Sequence, residues 1–257
     1  MSTRLSPDAY LGHLNEEAAR LSRLGRSTDL ATPVPTCPGW TLHDLVGHCG
    51  EVYAHKTVTL RTGRAPQEGE SAQAPSGSAV VDFHDQQLAE LVRELEQRGP
   101  DGETWTWFPG EHSTGFWFRR MAQEALVHRV DGEIAAGGEL APVDPVLAAD
   151  GVEEVLAWFA GHPGVLAHSA SRAGSAGEVY VDAGDHAFVV ELPDDGHAVR
   201  EVDPLEGPLL ADAALRGAAG DVDLLLWGRP TQDVVSEEGD HDVLERLFSR
   251  LHLAVSD

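Results

Sequence analysis

Met121-Ala-Gln-Glu124-Ala-Leu-Val-His128-Arg129-Val-Asp131 is the stretch on which the reading of this chain turns. On a helix, residues four apart stand one turn above the other. Glu124 and His128 therefore share a face, and Met121, Ala125 and Gly132, apolar or small, lie on it too. That face points inward. A buried carboxylate and imidazole are costly without partners, and two remedies fit: a direct Glu–His hydrogen bond, or a shared divalent cation. The spacing leaves both open. Under the second, Asp44-Leu-Val-Gly-His48 on another predicted helix supplies a third ligand, His48.

Working outward, the first half reads as helical. A first helix is expected from Pro7 to about Leu24, with Ser6 as N-cap and Gly25 as its stop. A proline-punctuated loop, Thr32 to Trp40, follows, and Pro38-Gly39 has the chemistry of a tight turn. Thr41 and Asp44 make a capping box for a second helix ending near Leu60. Residues 61–77 read as a loop, 78–98 as a third helix, 101–115 as an aromatic loop and 116–136 as a fourth helix. Four such helices predict a bundle whose interior can hold a site built from facing side chains.

After Gly137-Gly138 the pattern changes. One helix is expected over 144–160, then strands over 178–182, 187–192, 198–202 and 211–216, then helices over 218–228 and 240–253. The fold class is thus α+β: a four-helix bundle (1–140) followed by a smaller α+β domain (141–257) with a short antiparallel sheet.

A net charge of −25 argues against nucleic acid, whose phosphates this surface would repel. No apolar run approaches the roughly 20 residues of a membrane span. The N-terminus lacks the layout of a signal peptide, so a cytoplasmic protein is expected. Lys56 is the only lysine, an arginine bias that fits a GC-rich genome. Two cysteines, Cys37 and Cys49, do not make a disulfide framework; both read as inert thiols, with a metal or nucleophilic role as the alternative.

Two histidines and a carboxylate suit zinc and leave a fourth position open for water or substrate. His55, about 10 Å along the helix from His48, cannot share that ion; His48 is the better ligand, and His43 is expected to face solvent. Asp131 either accepts the second ring N–H of His128 or is a surface aspartate paired with Arg129 or Arg120. Trp40 is expected to cap the bundle end. Phosphate loops, nucleophile elbows and Cys-x-x-Cys pairs are absent from the sequence, and no nucleotide cofactor is indicated.

Three motifs then point to a family: Pro35-Thr-Cys-Pro-Gly-Trp40-Thr-Leu-His-Asp44-Leu-Val-Gly-His48, Met121 to Glu133, and Leu224-Leu-Leu-Trp227-Gly-Arg229. Together and in this order they resemble the mycothiol-dependent maleylpyruvate isomerase family, whose N-terminal domain belongs to the DinB-like metal-binding four-helix bundles. The resemblance spans nearly the whole chain. It implies a zinc-type site of His48, Glu124 and His128, with mycothiol as thiol cosubstrate. It also implies a catalytic and cofactor-binding role for Arg229, which would hold a carboxylate of substrate or thiol bidentately. The alternative for Arg229 is a helix-end arginine neutralising carbonyl dipoles.

Three functions follow. The first is a metal- and mycothiol-dependent isomerase or S-transferase acting on a small electrophile. The second is a thiol-independent hydrolase using metal-activated water, with Asp131 or a nearby carboxylate as base. The third is a non-catalytic binding protein. Partners are expected to be a small-molecule substrate and a low-molecular-weight thiol, with neither nucleic acid nor membrane, and a monomer is favoured.

Overall fold

The computed structural model describes residues 3–207, 210–231 and 233–255. Met1 and Ser2, where the signal-peptide reading begins, lie outside the described residues. The chain forms two compact units, Leu5–Ala141 and Pro142–Asp257 with Met1–Arg4. No described helix is long and apolar enough to cross a membrane.

The first unit holds α1 (Pro7–Ser27), α2 (Leu42–Thr62), α3 (Ala79–Arg98) and α4 (Thr114–Ala136). Ser6 caps α1, its hydroxyl accepting from Ala9 N at 3.3 Å. Gly25 does not stop this helix, which runs on to Ser27. The glycine serves packing instead: a Cβ there would lie 3.1 Å from Val81 Cγ2 and 3.3 Å from Val46 Cγ2, so it lets α1 approach its neighbours. The capping box on α2 forms, with Thr41 N donating to Asp44 Oδ2 at 2.8 Å and Asp44 N to Thr41 Oγ1 at 3.4 Å. Gly63 and Gly137 end α2 and α4 in the left-handed region, at φ 71° and 70°.

Leu14, Leu21, Leu45, Val46, Leu91, Leu95 and Leu126 build the bundle core. Within it Arg129 is fully buried, its Nε donating to Glu17 Oε2 at 2.6 Å and its Nη1 to Glu133 Oε2 at 2.8 Å and Ala141 O at 3.1 Å. This pairing explains how the second turn of the opening motif enters the core despite its charge. Gly132 admits α1 from the other side; a Cβ there would sit 2.8 Å from Leu21 Cδ1.

In the second unit, α5 (Pro145–Glu154) is capped by Asp144, which accepts from Val146 N and Leu147 N at 2.9 and 3.0 Å. The single helix expected over 144–160 changes pitch, because Val155–Phe159 form a π-helical turn. A short α6 (Pro163–Ala167) leads to the strands β1 (Gly177–Ala183), β2 (His186–Leu192), β3 (Ala198–Val202), β4 (Ala213–Gly217) and β5 (Ser236–Gly239). α7 (Ala219–Leu226) lies between β4 and β5, and α8 (His241–Val255) ends the unit.

The sheet order is β3-β2-β1-β4-β5. β1–β2, β2–β3 and β4–β5 are antiparallel, but β1 and β4 run parallel, so the expected antiparallel sheet is mixed. The cause is the connection from β3 to β4, which is no hairpin and brings the chain back across to the free side of β1. β5, Ser-Glu-Glu-Gly, escaped the sequence reading because this edge strand is almost wholly exposed and carries no apolar alternation. Register places Val179, Val181, Phe188, Val190 and Leu215 on one face and Tyr180, Val189 and Ala214 on the other. Both faces are buried. Arg250 of α8 is buried too, because its guanidinium satisfies the carbonyls of Ser171, Pro193 and Gly196 at 2.7–3.2 Å.

Candidate metal centre

Two helices and one loop of the first unit meet at the site. α4 presents Glu124 and His128 from successive turns, and α2 presents His48 opposite them. His48 Nε2 lies 3.4 Å and His128 Nε2 3.2 Å from the same oxygen, Glu124 Oε1. One ligand atom from each residue falls within 4.8 Å of the others. The other carboxylate oxygen, Oε2, accepts from Arg120 Nη2 at 2.9 Å, one turn earlier on α4.

Asp131 is fully buried, and its Oδ2 lies 2.9 Å from His128 Nδ1. Of the two expectations for Asp131, the structure therefore shows the partner of His128 and not a surface aspartate. This contact assigns the Nδ1 proton and turns Nε2 toward Glu124 and His48. The same Oδ2 accepts from Cys37 Sγ at 3.6 Å.

The loop before α2 explains how Cys37 and Trp40 arrive here. Val34 N donates to Trp40 O at 2.9 Å and Leu42 N to Thr32 O at 2.8 Å, pinning the loop as a narrow hairpin. At its tip Trp40 N donates to Cys37 O at 3.0 Å, and Gly39 takes φ 86°, as a type II turn with proline before it requires. The Trp40 ring sits 4.9 Å from that of His48 and 6.5 Å from that of His128, centroid to centroid. Trp40 thus walls the site, where the sequence reading had it capping the bundle. A cavity of about 520 Å³ opens beside it, lined by Trp40, His43, Asp44, His48, Glu51 and Ala74 among others. His43 was expected to face solvent; it is half-buried on this cavity, with Nε2 3.2 Å from Pro75 O.

The electrostatics follow from this packing. Burial opposes ionisation of Glu124, but the charge and hydrogen bonds of His128, with His48 and Arg120, outweigh it and hold the carboxyl well below its usual range. Burial likewise opposes the imidazolium of His128, yet Glu124 and Asp131 overcome it and raise the ring to about 9. Cys49, beside His48, is raised well above the ordinary thiol value, by burial first and by the charge of Glu124 second. It is an inert thiol.

The donor set fits a divalent ion. Two imidazole nitrogens and one carboxylate oxygen converge, one histidine is oriented by a buried carboxylate, and Glu124 is held ionised; a bound cation would displace the Nε2 proton of His128. His48, 35% exposed, leaves the centre open on one side. Arg229 belongs to the other unit, just past the end of α7, where its N–H closes onto Leu224 O at 2.8 Å and its Nη1 donates to Trp227 O at 2.6 Å. Arg120 and Trp40 were not read as site residues. The first had a signal, since it stands four residues before Glu124 on the same face.

Residues 11–132 match the sequence model of the mycothiol maleylpyruvate isomerase N-terminal domain. The match covers most of the helical unit. A comparison with curated proteins gave no match. Among solved structures, the chain is similar to a crystal structure of the mycothiol-dependent maleylpyruvate isomerase, at 13% identity and TM-score 0.56, covering 91% of this chain and 93% of that one. It is equally similar to a histidine-to-alanine mutant of that enzyme, at 12% identity and TM-score 0.58 with the same coverage. The likeness is one of fold, and it extends over both units.

Proposed function

We propose that this protein is a metal-dependent enzyme of thiol chemistry, an isomerase or S-transferase that uses mycothiol and acts on a small electrophilic acid in the cytoplasm. The observation that carries the reading is the convergence of His48 Nε2 and His128 Nε2 on Glu124 Oε1, backed by the buried Asp131. His48, Glu124 and His128 would hold a divalent ion, zinc by its preference for such donors, which when bound would act as a Lewis acid and lower the pKa of a thiol or water.

The chain's own groups have separate tasks. Asp131 keeps the Nδ1 proton on His128, so the ring offers Nε2 to the centre. Arg120 holds the outer oxygen of Glu124 and leaves the inner one for a ligand bond. Trp40 packs against the rings of the two histidines and supplies an apolar wall to the cavity. Arg229, by the role of its counterpart in the Leu-Trp-Gly-Arg motif, binds a carboxylate of the substrate or thiol. Asp131 is a positioning residue in this scheme, because it reaches the centre through His128.

Elemental analysis and activity test the reading together. One zinc per chain, lost in both His48→Ala and His128→Ala, is expected, with turnover of a cis-configured unsaturated acid only when mycothiol is present. Hydrolysis of acyl substrates that persists without thiol would replace this reading with a metal-dependent hydrolase. A metal-free protein whose His48→Ala variant keeps its function would leave a binding protein.

A further inference from the structure

Among thirteen histidines and eighteen lysines and arginines, the chain has one lysine, Lys56, and it stands on the helix that carries His48. Eight residues separate the two, about 12 Å of rise, and the turn between them swings Lys56 about 80° from the His48 line. Lys56 there meets α4: its Nζ sits 4.7 Å from the ring centroid of Trp117 and 3.1 Å from Nδ1 of His55.

The partners of this ammonium are unusual in a chain of net charge −25. Three outer arginines of the same unit are tied to carboxylates: Arg26 to Asp82 and Asp85, Arg61 to Glu94, Arg64 to Glu70, at 2.7–2.8 Å. Among the described residues no carboxylate pairs with Lys56. Its nearest acidic influence is Glu124, acting through space, with Arg120 opposing it. Burial is the larger effect and lowers the ammonium to about 8, so at neutral pH it is still a cation. Burial lowers His55 to about 4, leaving it a neutral acceptor for the lysine. A half-buried cation held by a neutral imidazole and an aromatic face is under-neutralised, since neither partner carries a compensating charge. It sits about 10 Å along α4 from Glu124, measured by the seven residues between Trp117 and Glu124.

We propose that Lys56 is an anion anchor, receiving a carboxylate of an acidic ligand whose reacting end lies at the His48–Glu124–His128 centre. The inference deepens the proposed function and rests on that centre being the reacting site. It commits the ligand to a class: a molecule with a carboxylate remote from its electrophilic or thiol end, such as an extended unsaturated dicarboxylic acid. The aromatic ring of Trp117 under the ammonium fixes the approach, because the ligand's carboxylate must come from the side the ring leaves free.

The single lysine makes the test direct. Reductive ¹³C-methylation keeps the charge and yields one ε-dimethyl resonance, separable from the α-amine by its titration. trans,trans-Muconate and suberate, dicarboxylic acids long enough to approach the span from Lys56 to the centre, are titrated into the zinc-loaded protein, with sodium chloride at equal ionic strength as control. The expected result is a saturable shift of the Lys56 resonance and a higher pKa for that amine, because a bound carboxylate favours the ammonium. By calorimetry Lys56→Met should bind these acids roughly tenfold more weakly, and Lys56→Arg within about threefold of the parent. Circular dichroism melts of both variants separate lost binding from lost folding. A resonance that follows only ionic strength, or equal affinity in Lys56→Met, overturns the anchor. Zinc assayed in the same samples keeps the two ideas apart. Zinc bound with a silent lysine refutes the anchor alone. A responding lysine in a protein that binds no zinc refutes the centre and leaves Lys56 as an anion site.

Discussion

Asp131→Asn isolates the contribution of one buried charge to the metal centre. Asn nearly preserves shape and can still accept from His128 Nδ1, now at 2.9 Å from Asp131 Oδ2, but it removes the negative charge behind the ring. Partners in this position govern ligand basicity and ring orientation, and their loss costs roughly 10- to 100-fold in metal affinity, or about 1.4–2.7 kcal/mol. The same change acts on the metal-free protein. With Asp131 neutralised, His128 keeps only Glu124 to hold it near 9, so its ring should titrate lower, toward the ordinary histidine range. Zinc competition with a chromophoric chelator reads the first effect, and ring-proton resonances across a pH series read the second. Unchanged zinc affinity together with an unchanged His128 titration would refute the reasoning. It would mean that the 2.9 Å contact is structural and electrically idle.

Three further outcomes follow. Glu124→Gln should abolish stoichiometric zinc binding, since it removes the only anionic ligand of the three; plasma emission on the purified variant checks it. In chelated protein, His128 raised to about 9 contributes stability that is whole below its unfolded value and fades as pH rises through 9, while Glu124, held low, contributes stability that fades on acidification. Melting temperature without zinc should therefore fall above pH 7, by an amount corresponding to at most about 3 kcal/mol, and a flat profile from pH 6 to 9.5 speaks against the imidazolium. Glu17→Ala leaves the fully buried Arg129 with half its counter-charge and should cost about 3–5 kcal/mol in denaturant unfolding, whereas Glu16→Ala on the exposed neighbouring pair should cost less than about 1 kcal/mol.

The parts of the fold that were legible in the sequence are those governed by local rules. Thr41 and Asp44 announced the start of α2, and the apolar spacing with its terminal glycines outlined the four helices. Gly25 was misread because a glycine that ends a helix and one that lets another helix close in look alike in one dimension; only Val46 and Val81 beside it decide. The parallel pairing of β1 with β4 was illegible for a related reason. It depends on where a ten-residue connection returns the chain, and nothing in Ala213–Gly217 itself records its neighbour. β5 was missed because an exposed edge strand buries no pattern.

At the centre, the division between what could and could not be read is instructive about how such sites are made. The i, i+4 pair of Glu124 and His128, and Asp131 three residues further, are all consequences of one helix, so spacing reveals them together. Arg120 obeys the same spacing and was legible in principle. Trp40, Cys37 and Lys56 obey none. Trp40 reaches the histidines only because a type II turn folds the loop back over α2, and Lys56 meets Trp117 only because α2 packs beside α4. The helix therefore supplies the groups that would bind an ion, where sub-ångström placement matters and rigid backbone provides it. Residues from the loop and from the far end of α2 supply the wall and the remote charge, which tolerate looser placement. Chains sharing α2 and α4 can therefore differ in ligand by changing the loop tip and the position of Lys56, without disturbing His48, Glu124 or His128.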